Sequence, residues 1–342
     1  MTRLHRIAQQ IPPLDEAAAE RARRHLDSLT KPPGSLGRLE ELAIRLAAMT
    51  GQMAPPVSPA TVLVVAGDHG VTAEGVSAYP AEVTPQMVLN FLRGGAAINA
   101  LARVSGARVR VVDAGMAVDL EHPDLTVCKV RRGTGNICRE PAMTREETEA
   151  ALCHGIELAD EEAGRGTRVI ALGEMGIGNT TPSAALLAFF SGRPPETVVG
   201  RGTGLDERGL QRKADAVRRA LALHKPDPSD PVGVLAALGG LEIATLAGVV
   251  LGAAARRIPV VVDGFITTAA AIVAVRIAPA AVNYLIASHR SAEPGHALML
   301  EMLGLRPLLE LDLRLGEGTG AALALPLLEA AHRVMTEMAT FE

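Results

Sequence analysis

Two glutamates set among glycines are the residues of this 342-residue chain best placed to do chemistry. Glu317 stands in Gly316-Glu317-Gly318-Thr319-Gly320, just ahead of an Ala/Leu run of helical composition that begins at Ala321. Three glycines around one carboxylate let the backbone turn sharply and let a ligand come close, because no Cβ stands in the way. Where a strand hands over to a helix, such a glutamate is expected to stay ionised, since helix N-terminal amides favour negative charge. Facing a cleft it is a candidate general base; a helix-capping glutamate in a tight turn is the plainer alternative. Glu174 lies in Gly173-Glu-Met-Gly-Ile-Gly-Asn-Thr-Thr181. There Gly176, Gly178, Asn179, Thr180 and Thr181 can offer amides and side-chain donors to a phosphate. The stretch has neither the Gly-Lys-Ser/Thr of a Walker A loop nor the spacing GxGxxG, and a tight structural turn would read the same. Two acids in equivalent settings suggest acid and base work or a metal site.

Two further clusters carry chemistry. In Ser288-His-Arg-Ser291, Arg290 and Ser291 would complement a phosphate charge, although a surface salt bridge needs the same arginine. Asp68, His69, Asp263 and His289 include metal donors, but nothing has the ligand spacing of HExxH, and no metal is expected.

The elements that must position these residues follow from apolar runs. Thr61–Ala66, Arg108–Asp113, Arg168–Leu172, Pro259–Asp263 and Ala281–Ala287 each end in a Gly-rich or charged cluster. Leu309, Leu311, Leu313 and Leu315 alternate with Glu310, Asp312 and Arg314, a period of two that predicts a sixth strand with one buried face. Continuous β-branched runs alternating with helices argue for an α/β fold, with a parallel sheet of about six strands covered on both faces. Its crossovers would gather all six polar clusters along one rim, the expected site.

Residues 15 to 29 and 36 to 50 read as amphipathic helices that need a partner surface. The Pro-rich stretch 54 to 59 is the best domain boundary. The predicted division is a small helical domain from 1–55 and 321–342 and a large α/β domain over 56–320. Thr144 and Glu147 form a capping-box pattern opening a helix to about Gly164. The segment from Asp206 to His224 is amphipathic, and the loop from Met116 to Met143, without a clear period, is a candidate lid or dimer element. Val232 to Ala255 reads as a buried helix, being broken by Glu242 and several glycines.

Composition narrows the function. Hydrophobic residues make up 48% and charged residues 21%, as in a globular enzyme. Aromatic residues are only 2%, with no Trp, so a flat substrate must be gripped by aliphatic side chains and backbone. A net charge of −4 gives no basic surface to track a nucleic acid. Three cysteines without CxxC spacing, and an N-terminus without an apolar core, point to a cytoplasmic protein.

The segments KPPGSLGRLE (31 to 40), AGDHGV (66 to 71), YPAEVTPQMVLNFLRGGAAINALAR (79 to 103), GEMGIGNTTPSAAL (173 to 186), VGRGTGLD (199 to 206), GGLEIATLAG (239 to 248), DGFITTAAA (263 to 271), SHRSAEPGH (288 to 296) and LDLRLGEGTGAALALPLL (311 to 328) occur in that order. Together they resemble the nicotinate mononucleotide:5,6-dimethylbenzimidazole phosphoribosyltransferase family of cobalamin biosynthesis. The resemblance implies a Rossmann-like large domain, a small helical domain from both chain ends, a homodimer and no cofactor. It implies transfer of the phosphoribosyl group of nicotinate mononucleotide to dimethylbenzimidazole, with Glu317 as the catalytic glutamate and Glu174 as a second one in the site. Substrate-binding positions are then expected at Tyr79, Gln86, Gly176, Gly178, Asn179, Thr180, Thr181, Lys213, Asp263, Arg290, Ser291, Leu315 and Gly316. A metal-dependent hydrolase built on Asp68, His69, Asp263 and Glu317, and a non-catalytic nucleotide-binding module, are the competing readings.

Overall fold

The computed structural model describes residues 3–341. Among these, the main sheet has six parallel strands, β1 (Ala60–Gly67), β2 (Arg108–Gly115), β3 (Leu125–Val127), β4 (Val169–Met175), β5 (Val260–Val262) and β6 (Leu285–Ala287). Their order is β3-β2-β1-β4-β5-β6. Every residue of β1 is buried, as its unbroken apolar run requires of a central strand covered on both faces. The chain leaves β1 toward β2 on one side and returns to β4 on the other, so the carboxyl ends of β1 and β4 open a crevice where the winding reverses.

Fourteen α-helices surround the sheet among the described residues: α1 (Arg3–Gln10), α2 (Glu16–Ser28), α3 (Arg38–Thr50), α4 (Val83–Leu92), α5 (Ala97–Ser105), α6 (Arg145–Gly164), α7 (Thr180–Ser191), α8 (Pro195–Val198), α9 (Glu207–His224), α10 (Pro231–Leu238), α11 (Leu241–Ala255), α12 (Phe265–Ile277), α13 (His296–Leu303) and α14 (Thr319–Glu337). The capping box opens α6 as its sequence predicts: Thr144 Oγ1 accepts from the Glu147 amide, and the Glu147 carboxylate accepts from the Thr144 amide.

Two elements differ from their sequence patterns. The alternating Leu309–Leu315 stretch does not join the sheet. Only Leu309–Glu310 (β8) forms a strand, paired with His289–Arg290 (β7), while Leu311 and Leu315 are 53% and 59% exposed. Neither face of this strap is fully buried: Leu309 packs partly against the core, but the alternation marks no covered face. The sixth place in the sheet goes to β3, three residues inside the 116 to 143 loop and too short to show a period. The stretch Val232 to Ala255 is two helices rather than one, because Gly239 and Gly240 break it between α10 and α11. Among the described residues, no helix is long and apolar enough to cross a membrane.

Helix α11 is buried on almost every side and crosses α6 at backbone contact. A Cβ on Gly155 would lie 1.9 Å from the Thr245 carbonyl, and one on Gly248 would lie 2.0 Å from that of Leu152, so both positions require glycine. Helix α14 packs on α2, α3 and α5 and also on β1, β4 and β5. Its C-terminal extension is tied to the N-terminal region by backbone bonds from Thr30 to Ala339 (2.9 Å) and from Phe341 to Ser28 (3.0 Å).

Candidate active site

The crevice beyond β1 and β4 holds a cavity of about 700 Å³. Gly176, Ile177, Gly178, Asn179 and Thr180 form one wall, where β4 turns into α7. Asn179 is the N-cap of α7 and makes no side-chain cap bond; the Asn179 and Thr181 amides are taken by the carbonyls of Gly176 (3.1 Å) and Gly178 (3.0 Å) and Pro182 has no N–H, so in this first turn it is the Thr180 amide that is left for a ligand at the cavity wall.

Glu174 lies at the end of β4 and is 6% exposed. Asn179 Nδ2 donates to its Oε2. Burial pushes its carboxyl up to about 8 against that bond, and the carboxylates of Asp263, Glu242 and Glu317 add like charge. Glu317 lines the same cavity, also 6% exposed. Its backbone is left-handed, φ +62°, which costs a non-glycine residue on the order of 1 kcal/mol. That conformation turns the carboxylate toward α5, where Oε2 accepts from the Ile98 amide at 3.2 Å in the first helical turn. Burial raises the Glu317 carboxyl above its usual range, with the Ile98 N–H working against it. The glutamate is thus held by a helix N-terminus, although by α5 rather than by the helix that follows it in sequence.

That following helix belongs to Asp263. At the end of β5 and 1% exposed, Asp263 accepts from the Ala321 amide at 3.0 Å, with the amides of Gly320, Gly318 and Gly264 also turned to it. Burial nevertheless raises its carboxyl to about 7. Asp263 lies behind the cavity wall and fixes the loop that carries Glu317. Gly316, φ +89°, completes the junction: a Cβ there would stand 2.2 Å from Glu174 Oε1, so the two glutamate loops meet only because this residue has no side chain.

The other expected residues divide between cavity and support. Tyr79, Leu315, Gly316 and Ser291 line the cavity, Tyr79 and Leu315 at an exposed mouth. Lys213 is fully buried behind the turn, donating from Nζ to Thr180 Oγ1 (2.6 Å) and the Gly200 carbonyl (3.0 Å). Burial draws its ammonium down to about 8, opposed by Glu293. Thr181 is buried beneath the same turn. Arg290 is exposed on β7 and Gln86 is exposed on α4, and neither lines the cavity, although the neighbouring Ser291, Val83 and Met87 do. Lining residues with no chemical motif in the sequence include Thr203, Phe265 and Glu293. Thr203 and Glu293 fall inside the segments VGRGTGLD and SHRSAEPGH, where glycines, histidines and an arginine carry the stronger signals. The Ile98 amide has no side-chain signal at all.

The hydrolase reading has no support in this geometry. Asp68 accepts from the Ala117 amide (2.8 Å), His69 pairs with buried Glu242 (2.7 Å) and Asp263 caps α14. Among the described residues, no three His, Cys, Asp or Glu side chains could hold a metal together.

A family model described as phosphoribosyltransferase matches residues 11–342. The nicotinate-nucleotide–dimethylbenzimidazole phosphoribosyltransferase of Chloroflexus aggregans is 57% identical over 342 residues, covering 100% of this chain and 97% of that protein. That of Geobacter sulfurreducens is 57% identical over 343 residues, with the same coverage. The crystal structure of CobT from Thermus thermophilus superposes with a TM-score of 0.91 at 54% identity, over 95% of this chain and 97% of that one. With the likeness running over essentially the whole of both chains, this protein belongs to the nicotinate-nucleotide–dimethylbenzimidazole phosphoribosyltransferase family.

Proposed function

We propose that this protein transfers the phosphoribosyl group of nicotinate mononucleotide to a ring nitrogen of 5,6-dimethylbenzimidazole, releasing nicotinate and α-ribazole 5′-phosphate for the lower ligand of cobalamin. The observation that carries the reading is a single cavity joining the glycine-rich turn into α7, two buried glutamates and an aliphatic wall. The Gly178 and Thr180 amides suit a phosphate, with Lys213 bracing Thr180, whereas those of Ile177 and Asn179 are taken by Thr84 and the Gly176 carbonyl. Val83, Met87, Ile177, Leu313 and Leu315 suit two flat rings in a chain almost without aromatic residues.

The chemistry asks for little beyond position and one base. In nicotinate mononucleotide the leaving nitrogen is a pyridinium, so the C1′–N bond breaks with its electron pair neutralising that nitrogen, and no acid is needed. One nitrogen of dimethylbenzimidazole forms the new C1′–N bond while the other gives its proton to Glu317. A β-configured substrate and an α-configured product imply attack from the face opposite the leaving ring, hence direct inversion. Burial pushes the Glu174 carboxyl up to about 8, so Glu317, whose carboxylate accepts from the Ile98 amide, is the member of the pair assigned as the base. Asp263 keeps the Glu317 loop in register, and Arg290 serves the phosphate only from outside the cavity.

Incubation with nicotinate mononucleotide and dimethylbenzimidazole tests the proposal. Release of nicotinate that depends on dimethylbenzimidazole is expected; release at the same rate without it would point to a nucleosidase instead. A cytoplasmic homodimer, in which a second copy covers exposed Tyr79, Leu311 and Leu315, is part of the same reading. Sedimentation as a 35.6 kDa monomer at micromolar concentration would count against it.

A further inference from the structure

A second cavity of about 700 Å³ lies away from the site just described, against the amino-terminal half of β2 and the C-terminal ends of α4 and α5. Four arginines line it: Arg103, Arg108, Arg110 and Arg165. Their acidic partners do not saturate them. Buried Glu162 is shared by Arg108, Arg110 and Arg165, and Glu161 takes Arg110 with a longer reach to Arg165. Arg103, in the last turn of α5, forms no salt bridge among the described residues and is exposed, and the side chains of Arg108 and Arg165 remain about half exposed. The one other carboxylate on the wall, Asp124, is 80% exposed in its side chain. Phe91 and Val109 add apolar surface between these charges.

We propose that this cavity binds a phosphomonoester with a small organic body, and that its occupancy is felt at Glu317. A concavity of this size suits a small molecule, and unsatisfied guanidinium donors suit a phosphate, which they can grip through paired N–H bonds. A polyanion such as nucleic acid fits poorly with the negative net charge of the chain. The route to Glu317 is short, because two helices touch both cavities. Helix α4 presents Val83 and Met87 to the first and Phe91 and Leu92 to the second. Helix α5 donates its Ile98 amide to Glu317 and lines the second cavity with Asn99, Ala102 and Arg103. A ligand drawing on Arg103 acts on the helix whose other end holds the glutamate, and differential binding to two placements of α5 would shift the site between them.

Calorimetric titration of 5′-AMP, with adenosine as the phosphate-free probe, tests the binding in the wild type and in Arg103→Gln. Arg103 has no ionic partner among the described residues to lose, so the variant is expected to fold and to keep its activity in the absence of 5′-AMP. Losing one charge-assisted contact should weaken one class of 5′-AMP site by about tenfold or more, and adenosine should bind both proteins alike. Identical 5′-AMP isotherms for the two proteins would overturn the site. Crystals soaked in 5′-AMP should place its phosphate on Arg103 with Arg108 or Arg165; phosphate in the main cavity alone would likewise overturn it. These measurements are independent of the reaction proposed above, whereas the coupling rests on it. 5′-AMP is expected to change the transferase kcat or KM several-fold in the wild type and much less in Arg103→Gln. An equal change in both proteins means direct competition at the main cavity and rejects the coupling.

Discussion

At the scale of single residues, the proposed division of labour between the two glutamates can be tested by substitution. Glutamine at 317 is nearly isosteric and its amide oxygen can still accept from Ile98, so Glu317→Gln should fold and bind nucleotide. It removes the only base assigned to the attacking ring, and kcat should fall by about 10²- to 10⁴-fold at saturating substrates. Glu174→Gln should cost less, and the double variant decides between roles. Normal turnover of the double variant would mean that positioning alone drives the transfer. Glu174 also predicts a dependence of stability on pH. Its carboxyl stands at about 8 in the fold against 4.5 in the free side chain, so the folded protein holds a proton that the unfolded chain gives up between those values. The contribution is fully present below pH 4.5 and is lost as pH rises toward 8. Thermal melts should therefore show a Tm decline over that window that is shallower in Glu174→Gln; equal slopes would mean the carboxyl is ionised throughout. That both glutamates line one cavity was legible in the sequence because each stands in a glycine-rich turn just ahead of a helix. Ile98 was not, since it contributes a backbone N–H that every non-proline residue has.

At the scale of elements, the site depends on loops meeting where side chains leave no room. Gly316→Ala places a methyl against Glu174 Oε1 at a left-handed φ of +89°, whereas Gly304→Ala meets a left-handed φ of +63° with nothing within 4 Å. Backbone strain is common to both and is worth about 1 kcal/mol. The excess loss in Gly316→Ala, expected in kcat as well as in Tm, isolates the contact between the glutamate loops. Equal losses in Tm with unchanged kcat would show that the contact carries no function. The α6/α11 crossing makes a purely structural comparison. Gly248→Ala overpacks a backbone contact and should cost about 1–3 kcal/mol by chemical denaturation without changing KM; an unchanged midpoint would mean the helices can part. Strands β1, β2 and β4 were readable because they are long, continuous and β-branched. The Leu309–Leu315 strap was misleading because alternation reports a buried face only when a second layer exists to bury it. Strand β3 left no trace in a three-residue segment.

At the scale of the whole molecule, the strand order explains why residues from 76 to 317 share one cavity: the winding reverses between β1 and β4, and every later crossover returns to the same rim. That gathering could be argued from six apolar runs, but the particular membership of the cavity, such as Phe265 together with Thr203, follows from packing that no single segment encodes. Helix α14 joins this rim to the chain termini, and it is the element on which the division into a small domain from 1–55 and 321–342 and a large one from 56–320 must be judged. Its first turn is held by Asp263, and beyond its last turn residues 339 to 341 bond to residues 28 to 30. If the ends form a unit of their own, truncation after Glu337 should disturb the termini and spare the site. Two backbone hydrogen bonds, each worth about 0.5–1.5 kcal/mol net, are lost, together with the bridge between Leu29 and Thr340. Stability should fall by about 1–3 kcal/mol, while kcat and both KM values at 25 °C stay within about twofold because Asp263 still fixes the loop. A loss of kcat well below the new Tm would show instead that α14 acts as one rigid piece from the termini to Glu317, and the two-domain division would have to give way to a single body.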